Sequence, residues 1–430
     1  MQKISISPSV LSGSVAAPPS QADAIRLIWA SCLGEGGAIA SVPDTPAIRD
    51  MLSLGKQLGC DIAQLDDRTD ILAAGPPSPP RLLSCSTPLV AKFASTLCLQ
   101  YDGEISISCP ALPKRAVAFA TELAVGGGGS LSYSEGKLKA RGPAVLPLLS
   151  LTGLEGAYWS SSFSMSVPLL LEETFFQIDD FVAVQPELHN TLSVLDAFGI
   201  AYSFDQAAST MIIAGEQIYP HRMLDAEGDW RNGSYLAGAL FAAGSGRISG
   251  LSKYSSQHEH AAWARLEDAG LLSWDEEGEM LSVKGGSLPS VPIDPRPAPA
   301  LIPLWMSLAL ISDTPISIGP LAPLSPLSQK RIDIMTDRLQ TLGATVERLA
   351  ENVIVHPSTL HGGEVDASGD ARVAMALAIA ALSSREGVDL ANLEGVEKAC
   401  PAFWNALRSL GADITGLGDA ADKNSISLLP

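Results

Sequence analysis

Arg338-Leu339-Gln340-Thr341-Leu342-Gly343 reads as the last turns of a helix stopped by glycine, and Thr345-Val346-Glu347 and Asn352-Val353-Ile354-Val355 beyond it alternate as strands do. The same ending recurs five times: Met51 to Cys60, Phe119 to Gly126, Val194 to Gly199, Arg265 to Gly270 and Leu407 to Gly411. Gly59, Gly127, Gly199, Gly270, Gly343 and Gly411 fall roughly 70 residues apart, a spacing that marks a structural repeat.

Working outward, each repeat carries a short strand upstream of that helix: Gly37 to Ala40, Gly103 to Ile107, Gly246 to Ile248, Pro315 to Ile318 and Gly387 to Leu390. Before each strand lies an apolar helix: Ala24 to Leu33, Val90 to Leu99, Ser234 to Ala243, Ile302 to Ile311 and Ala371 to Leu382. The third repeat is the least regular, and its first helix is expected near Phe163 to Leu171, interrupted by Pro168. The repeat therefore reads β-α-β-α-β-β, in the α/β (α+β) class. Helices apolar all round belong inside a shell of sheets. Six repeats divide as three in each of two lobes. One doubly wound parallel sheet would not produce the sixfold spacing. The Pro-rich stretch from Ser287 to Pro303 reads as an ordered connection.

Composition bounds the function. The 430 residues include 28 Lys and Arg against 47 Asp and Glu, a formal charge of −19, and 46% are hydrophobic. Such a chain can bury a core and is not disordered. Its acidity argues against nucleic acid and anionic membranes as partners. The longest apolar run, Ala374 to Leu382, is far short of the roughly 18–20 residues of a membrane span. Met1 to Ser7 lacks the apolar core of a signal peptide, and the six cysteines form no CxxC pair. These features point to a cytoplasmic protein with buried thiols. His258-Glu259-His260 is too closely spaced for a helical two-histidine metal face, and His189 and His221 are isolated. Gly126 to Ser130 follows a helix and precedes a strand, so it reads as a helix stop and not a phosphate loop. No metal and no cofactor are expected.

Several motifs on this frame resemble one family. Pro18-Pro19-Ser20-Gln21-Ala22-Asp23-Ala24-Ile25-Arg26 resembles a Pro-Gly-Asp-Lys-Ser-x-Ser-x-Arg motif, and Gly369-Asp370-Ala371-Arg372-Val373-Ala374-Met375 an Asp-His-Arg-x-Ala-Met motif. Val396-Glu397-Lys398-Ala399-Cys400-Pro401-Ala402-Phe403 is similar to Val-x-Lys-Ser-Phe-Pro-x-Phe, and Glu227-Gly228-Asp229 with Ser234-Tyr235 to Gly-Asp-x-Ser-Ser-x-Ser-Tyr. In this order they resemble the enolpyruvyl transferases, and among them the 5-enolpyruvylshikimate-3-phosphate synthases, over essentially the whole chain. The resemblance implies a two-lobed fold, with residues 20–227 as the N-terminal lobe and 1–19 with 228–430 as the C-terminal lobe. It implies transfer of the enolpyruvyl group of phosphoenolpyruvate to the 5-hydroxyl of shikimate-3-phosphate, on the route to chorismate and the aromatic amino acids. It also implies small anionic substrates as partners, no cofactor and a monomer.

The resemblance implies anion-binding roles for Arg26, Arg115, Arg331, Arg372 and Lys398, with Lys92 in place of an arginine and Asp370 beside them. Ser160-Ser161-Ser162-Phe163 resembles Ser-Ser-Gln-Phe, whose serines hold the substrate phosphate. The serine run reads equally well as a turn. Other positions depart from the pattern. Gln21 stands for the family's Lys, Ala300 for an Asp, Ser328 for a Glu and Ala371 for a His, and Cys85-Ser86-Thr87-Pro88 replaces Asn-Ala-Gly-Thr. Groups of that kind supply ~10²–10⁴-fold each in proton transfer. The alternatives are a homologue that binds an anionic ligand or partner without turnover, or a transferase with another acceptor. Cys109, six residues before Arg115, faintly resembles the reactive cysteine of the UDP-N-acetylglucosamine enolpyruvyl transferases.

Overall fold

The computed structural model describes residues 3–178 and 181–417. The chain opens with β1 (Lys3–Ile6) and β2 (Ser14–Ala16). The first repeat holds α1 (Gln21–Leu33), β3 (Gly37–Ala40), α2 (Pro46–Gln57), β4 (Asp61–Gln64) and β5 (Arg68–Leu72). The second holds β6 (Leu82–Ser84), α3 (Pro88–Cys98), β7 (Gly103–Ser108), α4 (Lys114–Gly126), β8 (Ser130–Ser134) and β9 (Lys137–Gly142). The third holds β10 (Leu148–Leu151), α5 (Gly153–Ser166), β11 (Thr174–Ile178), α6 (Phe181–Phe198), β12 (Tyr202–Asp205) and β13 (Thr210–Ile213), and β14 (Arg222–Asp225) follows. The fourth holds α7 (Trp230–Ala243), β15 (Ser245–Ser249), α8 (His258–Ala261), α9 (Ala264–Asp268), β16 (Leu272–Trp274) and β17 (Met280–Lys284). The fifth holds α10 (Ile302–Leu308), β18 (Ile316–Ile318), α11 (Pro326–Thr341), β19 (Val346–Arg348) and β20 (Val353–Val355). The sixth holds β21 (Gly363–Asp366), α12 (Ala371–Leu382), β22 (Val388–Ala391), α13 (Glu394–Ala399), α14 (Phe403–Ser409) and β23 (Ile414–Thr415).

Each repeat builds one sheet. In the second, the order is β6-β7-β9-β8, parallel at β6-β7 and antiparallel at the other two pairs, and the third repeats it as β10-β11-β13-β12. The other repeats complete their sheets by borrowing. The first takes β14, parallel to β3. The fourth takes β2, parallel to β15. The sixth takes β1, which lies antiparallel between β22 and β23. In the fifth the opening strand shrinks to an isolated parallel bridge, Ile293 to Ile318, leaving three strands. The Pro-rich stretch from Ser287 to Pro303 supplies that bridge, so it is ordered, as its sequence suggested.

The chain forms two compact units, Met1–Pro18 with Gly228–Pro430, and Pro19–Glu227, each with its own apolar core. Inside each unit one helix per repeat is enclosed. Ala24 to Leu33 of α1, Val90 to Cys98 of α3 and Arg372 to Leu382 of α12 are buried without a break. The second helix of a repeat keeps a narrower stripe inside, such as Ala116, Ala120 and Ala124 of α4. Side-chain caps start four of the enclosed helices: Ser20 accepts from the Asp23 amide, Thr87 from Val90, Asp229 from Asn232, and Asp370 from Arg372 and Val373. Among the described residues no helix is long and apolar enough to cross a membrane.

Two local expectations change. In the third repeat the first helix begins at Gly153, ten residues before Phe163, and passes into a 3-10 turn at Val167–Leu169, where Pro168 sits. Its five buried serines hid it, because they break the apolar run. In the second repeat the left-handed stop is Gly128, at φ +81°, and not Gly127. Gly127 is needed for space: a Cβ there would lie 2.1 Å from the Val145 carbonyl oxygen, whereas nothing lies within 4 Å of one on Gly128. Gly128→Ala should therefore cost about 1–2 kcal/mol through backbone strain alone. Gly127→Ala should cost more, because backbone must move. Thermal unfolding of the two variants should place Gly127→Ala lower in Tm.

Candidate functional site

The enclosed helices leave polar groups to be satisfied at their first turns, and the candidate residues collect there. Within residues 19–227, α1, α3 and α5 pack together: Trp29 and Phe93 lie 5.9 Å apart, and Thr96 Oγ1 donates to the Ser162 carbonyl at 3.0 Å. Arg26, 4% exposed, lies among them. Its Nε donates to Thr191 Oγ1 at 3.2 Å, Nη1 to the Ala22 carbonyl at 2.6 Å and Nη2 to Ser161 Oγ at 2.7 Å. The same Nη2 pairs with the Glu187 carboxylate of α6.

Lys92 is 5% exposed on α3; its Nζ donates to the Tyr158 carbonyl at 2.5 Å and lies 4.5 Å from the Tyr158 ring centroid. Burial lowers the Lys92 pKa to about 8; Glu187 opposes that fall and Arg26 adds to it. Of the serines, Ser161 alone meets an arginine. Ser160 and Ser162 donate back to the Ala157 and Trp159 carbonyls of their own helix at 2.9 and 3.0 Å. The run is mid-helix and not a turn. Arg115 is exposed on the second residue of α4, away from this cluster's hydrogen bonds.

Within the other unit, one polar network joins α7, α11 and α12. Asp370 caps α12 through Oδ1, while its Oδ2 accepts from Arg331 Nε at 2.8 Å. Arg372, 8% exposed, donates to Asn232 Oδ1 at 2.6 Å and lies 5.4 Å from the Tyr235 ring centroid. Burial lowers its pKa from the ordinary guanidinium value. Asn232 Nδ2 donates to Asp229 and to the Ala399 carbonyl, each at 3.0 Å, beside the exposed Lys398. Burial raises the Asp229 pKa. Arg231 Nε donates to Glu259 at 2.8 Å; burial pushes Glu259 up, but Arg231, the Glu259 backbone amide and Arg372 together bring the net shift downward. A pocket of about 130 Å³ opens beside the network, lined by Leu327, Lys330, Arg331, Ile334, Ser368, Gly369 and Asp370.

Comparison with known proteins bears on this arrangement. The family described as EPSP synthase (3-phosphoshikimate 1-carboxyvinyltransferase) matches residues 158–407. The chain belongs to that family. It is 27% identical over 426 residues to the 3-phosphoshikimate 1-carboxyvinyltransferase of Clostridium perfringens, covering 97% of this chain and all of that one. It is 33% identical over 239 residues to the enzyme of that name from Halobacterium salinarum, 54% of this chain and 55% of that one. Its fold superposes on an EPSP synthase from Acinetobacter baumannii with TM-score 0.82 at 15% identity, covering 96% of this chain and 100% of that one. It also superposes on the enolpyruvyl transferase NikO from Streptomyces tendae with TM-score 0.76 at 17% identity, covering 96% and 98%.

Two of the positions that depart from the family pattern, Ser328 and Ala300, make contacts within the fold. Ser328, buried in the first turn of α11, lies 3.1 Å from the capping Ser325 hydroxyl. Ala300 offers its carbonyl to Tyr235 Oη at 2.9 Å. Gln21 is the first residue of α1 and is half-buried. All six cysteines are free and buried, and burial raises the Cys109 pKa, the opposite of what a reactive thiolate needs. His258 and His260 share the short α8 with Glu259, and no group of described residues could hold a metal ion. Sequence reasoning did not single out Asn232, Glu259 or Glu187. Asn232 could have been found from its N-cap spacing to Asp229, whereas the other two gain their roles only through tertiary contact.

Lys92 gives a pH signature. Because its folded pKa is depressed, the unfolded chain binds the extra proton between about 8 and 10.5. Stability therefore rises with pH across that window, and the penalty is complete below about 8. Lys92→Met should raise Tm at pH 7 by several degrees and flatten the rise between pH 8 and 10.5, read by thermal unfolding.

Proposed function

We propose that the protein is a 3-phosphoshikimate 1-carboxyvinyltransferase-like enolpyruvyl transferase. It takes phosphoenolpyruvate and a phosphorylated, hydroxyl-bearing acceptor, and its proton-transfer groups have drifted. The observation that carries this reading is the placement of Arg26 and Arg372. Both lie in the early turns of enclosed helices, in family motifs, where a buried cation and adjacent helix N–H groups favour an anion. Arg331 and Lys398 add positive charge near Arg372, and Lys92 near Arg26. Small anionic ligands of the phosphate and carboxylate class suit such surroundings. The enzyme's place would be the shikimate route to aromatic amino acids.

A second reading, anion binding without turnover, draws on Gln21, Ala300 and Ser328. None can move a proton as an ammonium or carboxylate does, and Ser328 is committed to the start of α11. Of the nearby carboxylates, Glu259 and Asp370 are held by Arg231 and Arg331, and Asp229 caps α7 and accepts from Asn232. Phosphate release from phosphoenolpyruvate and shikimate-3-phosphate decides between the two. Turnover is expected well below the ordinary enzyme range of about 1–10³ per second; a rate within that range overturns the drift. Arg372→Ala should weaken phosphoenolpyruvate binding at least tenfold by calorimetric titration, and unchanged binding would remove the anion role of that network.

A further inference from the structure

Beyond the C-terminal ends of α3 and α5 lies a cavity of about 310 Å³, built wholly from residues 19–227. It is separate from the anion-binding candidates. Lys92 stands about 9 Å of helix before Cys98, the last residue of α3, and the cavity begins past that end, at Gln100 and Tyr101. Leu146, Leu169 and Leu170 form apolar walls. Val145 and Leu171 carry the apolar surface onto the rim, where they are 56% and 82% exposed. A concave apolar site of this volume is at the lower end of small-molecule pockets, roughly 300–1,000 Å³.

The cavity's spare polar groups are acceptors. Pro76, Pro143 and Pro147 bring no N–H to its walls. The amides of Ala144 and Val145 are spent on the Leu99 and Gly127 carbonyls at 2.8 and 2.9 Å, and that of Leu170 on the Val167 carbonyl at 3.0 Å. The Tyr101 hydroxyl donates to the Pro77 carbonyl. Gln100 Nε2 donates to the Ser166 carbonyl at 2.6 Å, which leaves its Oε1 to accept. Glu172 and Glu173, both exposed, add two carboxylates to the lining. Among the described residues no lysine, arginine or histidine lines the cavity.

We propose that this cavity is a second ligand site, which takes a small amphiphilic ammonium. An aromatic ring or branched alkyl group fills the apolar walls, and the ammonium N–H groups meet Glu172, Glu173 and Gln100 Oε1. A phosphate or carboxylate would find like charge and spent donors there, so the site excludes the anions that suit Arg26 and Arg372. The proposal stands apart from the transferase reading and does not need it.

The test is a ligand-observed NMR titration of the full-length protein with phenethylammonium chloride, 2-phenylethanol as its neutral match and 3-phenylpropionate as its anionic one. Phenethylammonium should bind saturably, about threefold or more tighter than 2-phenylethanol, because exposed carboxylates contribute modestly, and 3-phenylpropionate should not saturate. Glu172→Gln with Glu173→Gln should remove that advantage and leave 2-phenylethanol binding unchanged. Leu171→Ser alters an exposed wall, so the fold should persist while both ligands weaken; circular dichroism checks each variant. No saturable binding of phenethylammonium, equal affinity for 3-phenylpropionate, or unchanged affinity in the folded variants overturns the proposal. So does displacement of phenethylammonium by phosphoenolpyruvate, which would put the ammonium in the anion site instead.

Discussion

A helix enclosed on every side cannot hand its first-turn N–H groups, or a charged side chain, to bulk water. That constraint organises both units. α1, α3 and α12 are buried without a break from Ala24, Val90 and Arg372 onward, so polar needs at their N-terminal ends are met largely by other protein groups. Asp370 meets three of them, accepting two α12 amides with one oxygen and Arg331 with the other. Asn232 meets three, bridging Asp229, the Ala399 carbonyl and Arg372. Leaving a buried charge unpaired costs about 3–5 kcal/mol, comparable with the whole stability of a small domain. The anion-binding candidates are therefore tied to the packing that encloses the helices.

How much of this was legible in the sequence depends on whether a signal is local. The stops at Gly59, Gly199, Gly270, Gly343 and Gly411 each need a left-handed residue, and glycine announces that by itself. Gly127 and Gly128 stand side by side, and only the carbonyl of Val145, a tertiary neighbour, decides which one turns the chain and which one must stay small. The start of α5 was hidden for a related reason. Ser160, Ser162 and Ser166 satisfy their hydroxyls on their own helix, so a buried helix can carry serines, but the pattern reads as polar. The borrowed strands β1, β2 and β14 are short and pair far along the chain, which no window of sequence reveals.

The same distinction separates the two halves of the candidate site. The cations were legible because they sit in motifs, and Arg26, Arg331 and Arg372 do meet structured partners. The counter-charges were not, because Glu187 lies 161 positions from Arg26 and Glu259 28 from Arg231. At two positions where the chain departs from the motifs it resembles, Ser328 stands in a helix's first turn and Ala300 accepts from Tyr235. Ser328 beside Ser325 is the plainest case: a hydroxyl in a first turn helps the helix begin. Binding and proton transfer thus load different constraints. An arginine locked into a buried network is costly to remove, while a carboxylate facing substrate is held by nothing but the reaction.

A net charge of −19 does not weigh against anion binding by this fold. Charges farther apart than the Debye length of about 8–10 Å are largely screened, so the field at a buried guanidinium is set by its immediate neighbours. Around Arg26 those are Lys92, Asp23 and Glu187, and the two cations are the buried members, at 4% and 5% exposed. Replacing Arg26 or Lys92 changes packing inside the helix bundle. Replacing Glu187 would leave Asp23 as the anion beside the two cations.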